Sequence, residues 1–291
     1  MSLRDDIRQQ FPALSPALQQ VARLVLDRPN DVVTASMRTV GARAGLTPAT
    51  LVRFAQHLGF AGWPELKAAA AAELGLGPEP YADRARALVG RARDRTLVHE
   101  LFEVHRHNLD ATERHNGATL PRACTVLEKA RTVHVAGYRA CYPIAFSFAY
   151  LYRLFRPTVQ VLDGPGGSLE MQQRAIAKGD ALAVISFAPY SREALQAVEA
   201  ARRAGARIVA LTDSEASPLS LVADETLLFA IRSPSFFPSV AAGMALAEAL
   251  IELLASRAGN GVVPRIDAAE AQLFESGAYL EAPAPARSRT R

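Results

Sequence analysis

Lysine is nearly missing from this chain of 291 residues. Lys67, Lys129 and Lys178 are its only lysines, so arginine carries almost all of the positive charge. Cysteine is scarce as well: Cys124 and Cys141 cannot build a disulfide framework, which makes a reducing cytoplasm the expected setting. Long apolar runs are absent. The best candidate, Val240 to Ala255, is broken by Glu248 and Glu252, which excludes a membrane-spanning helix there. The opening MSLRDDIRQQ carries acids and no apolar core, so it does not read as a signal peptide. The charge balance is mild, with net +4 and a pI near 9.3. Such a balance tolerates a polyanionic partner without demonstrating one.

What is present describes a globular protein, 49% apolar and 21% charged, long enough for two domains. Helical periodicity covers Leu3–Gln10 and Pro16–Leu26, and Pro29-Asn30-Asp31 is expected to break it. The stretch SMRTVGARAGLTPATLVRFAQHLG, residues 36 to 59, reads as two short helices around a sharp turn. Ser36 caps the first and Gly45 supplies the turn. Thr47 caps the second, Pro48 takes its first position and Gly59 follows its end. Leu51, Phe54, Ala55 and Leu58 fall on one side, leaving Ala49, Thr50, Arg53, Gln56 and His57 on the other. Small, hydroxylic, amide and cationic groups on one face suit the major groove of DNA; an ordinary helical hairpin with a solvated face has the same spacing.

A further helix, Pro64–Leu74, precedes the linker Gly75-Leu76-Gly77-Pro78-Glu79-Pro80. Arginines 84, 86, 91, 93 and 95 then suggest a solvated helix end, and a long helix is expected from Thr96 to His115. His99, Glu103 and His107 share a face there; that spacing permits a metal ion, but a solvated face explains it and no metal is assigned. Leu97, Leu101 and Val104 in the same helix could carry a signal between domains. From Thr119 helices and apolar strands alternate: strands at Thr132–Ala136, Thr158–Leu162, Ala181–Ser186, Arg207–Leu211 and Thr226–Ala230. Helices are expected at Leu120–Ala130, Pro143–Leu154, Leu169–Ala177, Arg192–Ala204 and Val240–Ala255. This texture implies a parallel sheet covered on both faces, with ligands beyond the strands' carboxyl ends. The ending APAPARSRTR is expected to be disordered.

Two strand-to-helix loops are the candidate ligand site. One holds Gly137, Tyr138, Arg139 and Cys141; the other holds Ser186, Phe187, Tyr190 and Ser191. Helix N-termini beside them could hold an anion, although capping by Ser191 and a turn at Gly137 are sufficient explanations.

Ala44-Gly45-Leu46, Thr47-x-x-Thr50-x-x-Arg53-Phe54, Leu58-Gly59-Phe60 and the run Leu58–Leu74 resemble the N-terminal domain of the RpiR/MurR family of bacterial transcriptional regulators. That family joins a helix–turn–helix to a sugar isomerase (SIS) domain. The resemblance implies an α plus α/β architecture: an all-α helix–turn–helix domain at 1–77, a linker and connecting helix at 78–118, a doubly wound, flavodoxin-like SIS sensor at 119–260, and a C-terminal tail at 261–291. It implies DNA contacts from Arg38, Thr47, Ala49, Thr50, Arg53, Gln56 and His57. The loop at Gly137 resembles the SIS G-x-G-x-S loop, with Arg139 in place of glycine and Cys141 in place of serine. The loop at Ser186 resembles S-x-S-G-x-[ST], with Ala188 and Pro189 in place of serine and glycine. Arg139 could replace part of the lost phosphate grip, or pair with an acid such as Asp163 or Glu170.

The function implied is a cytoplasmic regulator with no cofactor. It would bind an inverted-repeat operator in double-stranded DNA as a dimer or tetramer paired through Pro143–Leu154 and Val240–Ala255. Its effector would be a phosphosugar or sugar acid. Two rivals remain: a sugar-phosphate isomerase using Glu193 or Glu248, and a regulator whose SIS half serves mainly for dimerisation. An isomerase has no need of residues 36 to 59.

Overall fold

The computed structural model describes residues 3–34, 36–73 and 81–280. The Gly/Pro linker at 75–80 and the ending APAPARSRTR lie outside them. Six helices make the first unit among the described residues: α1 (Leu3–Gln10), α2 (Pro16–Asp27), α3 (Pro29–Thr34), α4 (Met37–Ala44), α5 (Pro48–His57) and α6 (Trp63–Glu73). Ile7, Val21, Ala22, Leu51, Phe54, Trp63 and Leu66 meet in their common core. The expected break falls at Arg28, φ −132°, where α2 ends, and Pro29 then opens a new helix, α3. Proline fits a first helical position, where its missing N–H is not needed, and Val32 is buried one turn on.

α4 and α5 are delimited as their residues dictate. The Ser36 hydroxyl accepts from the Thr39 N–H at 3.1 Å, and the Thr47 hydroxyl accepts from the Thr50 N–H at 3.3 Å. Gly45 closes α4 in the left-handed conformation, φ 66°. Gly41 is needed for close approach: a Cβ there would stand 2.6 Å from the Leu46 carbonyl oxygen.

After α7 (Tyr81–Val89) and the long α8 (Leu97–Asn116), the second unit alternates as expected. It runs α9 (Leu120–Lys129), β1 (Val133–Gly137), α10 (Tyr142–Arg153), β2 (Val159–Val161), α11 (Leu169–Arg174), β3 (Ala181–Ile185), α12 (Arg192–Ala204), β4 (Arg207–Thr212), β5 (Glu225–Leu228) and α13 (Ala241–Arg257). All strands are parallel in the order β2-β1-β3-β4-β5. α9, α10 and α13 cover one face around Phe148, Tyr152 and Leu250; α11 and α12 cover the other around Leu182, Ala197 and Ile208. β1 and β3 are buried throughout, which is why they read as unbroken apolar runs.

The free side of β5 is occupied by α8. Asn116 donates to the Leu228 carbonyl at 2.6 Å and accepts from the Leu228 N–H at 2.9 Å. The Thr112 hydroxyl accepts from Ala230 N–H at 3.0 Å, and Asn108 donates to the Arg232 carbonyl at 2.7 Å. Four helical residues rise about 6 Å and two extended residues about 6.6 Å, so an every-fourth-residue row matches alternate residues of the neighbouring chain.

Within its own chain α13 packs against α8, α9 and α10, and leaves Glu248, Ala249 and Glu252 exposed on its outer side. The segment read as a tail begins with structure: α14 (Val263–Glu275) opens with Pro264, and Arg265 donates to the Phe155 carbonyl at 3.0 Å. Among the described residues, no helix is long and apolar enough to cross a membrane.

Candidate nucleic-acid interface and ligand crevice

On the first unit, Arg38 of α4 and Thr47, Ala49, Arg53, Gln56 and His57 of α5 are exposed together, as their spacing predicts. Thr50 departs from that expectation. It is 6% exposed, and its hydroxyl lies 2.9 Å from that of Thr47. Position N3 of a capped helix turns its side chain back towards the cap, so Thr50 closes the first turn and does not face outwards. The outer face of α5 is therefore built from Ala49, Arg53, Gln56 and His57, with Thr47 at its entrance.

On the second unit, the strand order reverses between β1 and β3, and the two candidate loops sit side by side beyond those strand ends. Gly137 ends β1 where nothing larger fits, since a Cβ would lie 2.7 Å from Ala145 Cβ and 2.8 Å from the Cys141 carbonyl oxygen. Arg139, where the family pattern has glycine, adopts a left-handed backbone at φ 56°. A side chain in that region costs about 1–2 kcal/mol. Its guanidinium donates to Glu193 Oε1 at 2.9 Å, so its acid is Glu193 at the start of α12 and neither Asp163 nor Glu170. Cys141 is 4% exposed, and burial pushes its thiol up to about 12. It is a packing group beneath the loop.

The second loop is tied to itself. The Ser186 hydroxyl is buried and accepts from Ser191 N–H at 3.4 Å, while the Ser191 hydroxyl caps α12 at Ala194 N–H, 3.2 Å away. Tyr190 donates to Asp213 Oδ1 at 2.9 Å, and burial followed by the Asp213 charge raises its phenol above the ordinary tyrosine value. Asp213, just past β4, was not among the expected site residues; its position beyond a strand end was the available signal. Phe187 points inwards and meets Phe229 and Phe237 edge-on, with ring centres 6.2 and 6.3 Å apart.

Between the loops lies a small polar cluster. Tyr138 Oη, Gln173 Nε2 and Glu193 Oε2 are buried and have no hydrogen-bond partner. Burial first, then the Glu193 charge, raises the Tyr138 phenol, and Gln173 acts the other way. Buried polar atoms without partners are costly, and they favour any small polyhydroxylated molecule that could pair with them.

The two acids offered to an isomerase stand on different elements: Glu193 at the start of α12 pairs with Arg139, and Glu248 is exposed on α13. His134, the histidine of β1, is buried at the strand's amino end, 3.2 Å from Asp180. On α8, His107 bonds the Glu103 carbonyl, and Glu103 is taken by Arg106.

Comparison with known proteins assigns both units. Residues 1–76 match the helix-turn-helix domain of the rpiR family and residues 126–253 match the SIS domain. The HTH-type transcriptional regulator HexR of Pseudomonas aeruginosa is 26% identical over 224 residues, 75% of this chain and 75% of that protein. The bifunctional protein glk of Burkholderia mallei is 28% identical over 225 residues, which cover 74% of this chain but 33% of that protein. This chain thus spans a third of that relative's length. The structure of Vibrio vulnificus NanR complexed with ManNAc-6P shares the fold with a TM-score of 0.55 at 18% identity, covering 94% of this chain and 99% of NanR.

Proposed function

The chain belongs to the rpiR family of helix–turn–helix regulators carrying an SIS domain, and we propose that it is a cytoplasmic DNA-binding regulator controlled by a small phosphosugar. The observation that carries the DNA half is the exposed face of α5, where Arg53, Gln56 and His57 project from a helix capped at Thr47. A helix of ten residues contacts few bases alone, so two copies on an inverted repeat are needed for specificity. The outer face of α10 is the favoured pairing surface, because Tyr142, Phe146 and Tyr150 are large apolar side chains 38%, 50% and 43% exposed. Those rings form a row one turn apart.

The sensing half is supported by the crevice at the strand-order reversal, with Arg139, the α12 N-terminus and three unpartnered polar atoms around it. Ser186 and Ser191 are engaged within their own loop, so the ligand's anion would rest on Arg139 and backbone N–H groups more than on hydroxyls. The bound ManNAc-6P of NanR names the ligand class to try first. Binding without turnover is the favoured mode, because His134, Glu193 and Glu248 do not form an acid/base pair around one point. The sensor unit is best taken to begin at Leu97, since α8 completes the sheet.

The test is DNA selected from random sequence on the full-length protein, titrated with and without N-acetylmannosamine 6-phosphate, glucose 6-phosphate and related phosphosugars. A shift in DNA affinity with no conversion of the sugar supports the proposal. Robust isomerisation that is lost in Glu193→Gln or Glu248→Gln would replace it.

A further inference from the structure

The loop that carries Phe187 is linked by stacked rings to the first helix after the DNA-binding half. Phe187 meets Phe237 edge-on at 6.3 Å, and Phe237 in turn meets Tyr81 at 5.0 Å, tilted by 43°. Tyr81 is the first residue of α7. Three residues on, Arg84 donates to the Ser233 carbonyl at 3.4 Å. Phe237 and Ser233 lie on one irregular segment, 229–240, which passes over the ligand loop. The same segment is gripped from the other side by Asn108 and Thr112 of α8, through Arg232 and Ala230. One strip of backbone therefore touches the sensor loop with its rings and both helices of the connecting region with its rings and carbonyls.

We propose that Phe187, Phe237 and Tyr81 couple the ligand crevice to α7, so that a ligand which reorders residues 186–191 changes how firmly the connecting region is held. The coupling itself rests on ring geometry; its use in sensing rests on the phosphosugar reading above. The physical reason is packing. Edge-on and tilted rings interlock, so Phe187 cannot shift without moving Phe237, and Phe237 is the apolar surface on which Tyr81 rests. Phe187 is 5% exposed and lies between Ser186 and the capping Ser191, whose N–H bonds the Ser186 hydroxyl, so it follows a rearrangement of the α12 N-terminus. Coupling of this kind is reciprocal: what the loop does to α7, α7 must do to the loop.

Reciprocity supplies a test that needs no operator. Amide hydrogen exchange is followed on the full chain for wild type, Tyr81→Ala and Tyr81→Phe. Tyr81→Ala should speed exchange at Ala188, Tyr190 and Ser191 by about two- to twelvefold, the worth of one such ring pair; Tyr81→Phe should restore wild-type rates. Exchange in α10 and α12 reports that the fold is intact. Unchanged rates at 187–191 in Tyr81→Ala would overturn the coupling. A second arm adds N-acetylmannosamine 6-phosphate or glucose 6-phosphate at millimolar concentration. Protection of both 186–191 and α7 in wild type, but of 186–191 alone in Tyr81→Ala, supports the proposal, and protection of α7 in both proteins overturns it. Protection of neither segment by any phosphosugar would overturn the sensing reading, while the first arm still decides the coupling.

Discussion

Arg139 Nη2 and Glu193 Oε1 stand 2.9 Å apart, joining the turn after β1 to the first turn of α12 across the point where strand order reverses. The carboxylate occupies what an incoming anion would use, a guanidinium beside a helix N-terminus. On the proposed sensing role, an anion bound at Arg139 would share the guanidinium with Glu193 or displace it.

Glu193→Gln should therefore tighten binding of an anionic sugar by roughly two- to fivefold, the worth of an exposed ion pair of up to about 1 kcal/mol. Stability should barely change, since the Arg139 side chain is 73% exposed. Isothermal titration of both proteins with the same phosphosugar decides this. Weaker binding by the variant would instead make Glu193 a direct contact to the sugar.

Gly137→Ala should be much harsher. Its Cβ would press on Ala145 and the Cys141 carbonyl at under 3 Å, and the surrounding strand and helix cannot both retreat. A loss of about 1–3 kcal/mol is expected from overpacking, read as a lower urea midpoint with an unchanged slope.

Asn116→Ala removes both partners of the Leu228 peptide at once. Each buried group left unpaired costs about 1–3 kcal/mol, so the second unit should lose at least 2 kcal/mol, again on the order of that range. Asn116→Asp should be at least as damaging, because a buried carboxylate oxygen would face the Leu228 and Thr112 carbonyls to which the amide now donates. Equal midpoints for wild type and alanine variant would show that water replaces the amide freely.

The two thiols give the protein an alkaline limit. Burial pushes Cys141 up to about 12 and Cys124 up to about 11, against an unfolded value near 8.5. A raised thiol pKa means that the folded state holds its proton after the unfolded chain has released it. The stability is complete below about pH 8.5 and is lost above it, by about 1.4 kcal/mol per pH unit for each thiol. Denaturation at pH 8, 9 and 10 should show this slope, and Cys141→Ala should roughly halve it.

For DNA, Arg53→Ala should weaken operator and scrambled duplex alike and make the salt dependence shallower by about 0.9 if the side chain holds one phosphate. A loss confined to the operator would mark a base contact instead. Thr50→Ala is expected to lower stability by about 1 kcal/mol through the lost cap partner, with little effect on sequence preference. Anisotropy titrations at two salt concentrations, with a melting curve for each variant, separate the cases.

Much of the fold was legible because its signals are local. Ser36, Thr47 and Gly45 stop and start helices by backbone chemistry that depends on few neighbours, and the buried strands announce themselves as apolar runs. Thr50 was misplaced because a helical wheel counts angles and ignores a hydroxyl that turns back to its cap. The helix at 263–275 was missed because a Pro- and Arg-rich ending coloured the reading of everything near it. The partner of Arg139 lies 54 positions away. Only the juxtaposition of β1 and β3 brings it close, and no spacing in the sequence encodes that.

The row Asn108, Thr112, Asn116 has a practical consequence. A fragment cut at residue 119, where the helix–strand alternation starts, would leave the Leu228 N–H and C=O at the end of β5, the Ala230 N–H and the Arg232 C=O without their α8 partners. Such a border is a template for further strands, and fragments would stack through it into aggregates. Three side chains on a connecting helix thus act as a gatekeeper for solubility, and a sensor fragment that begins at Leu97 keeps that gate shut.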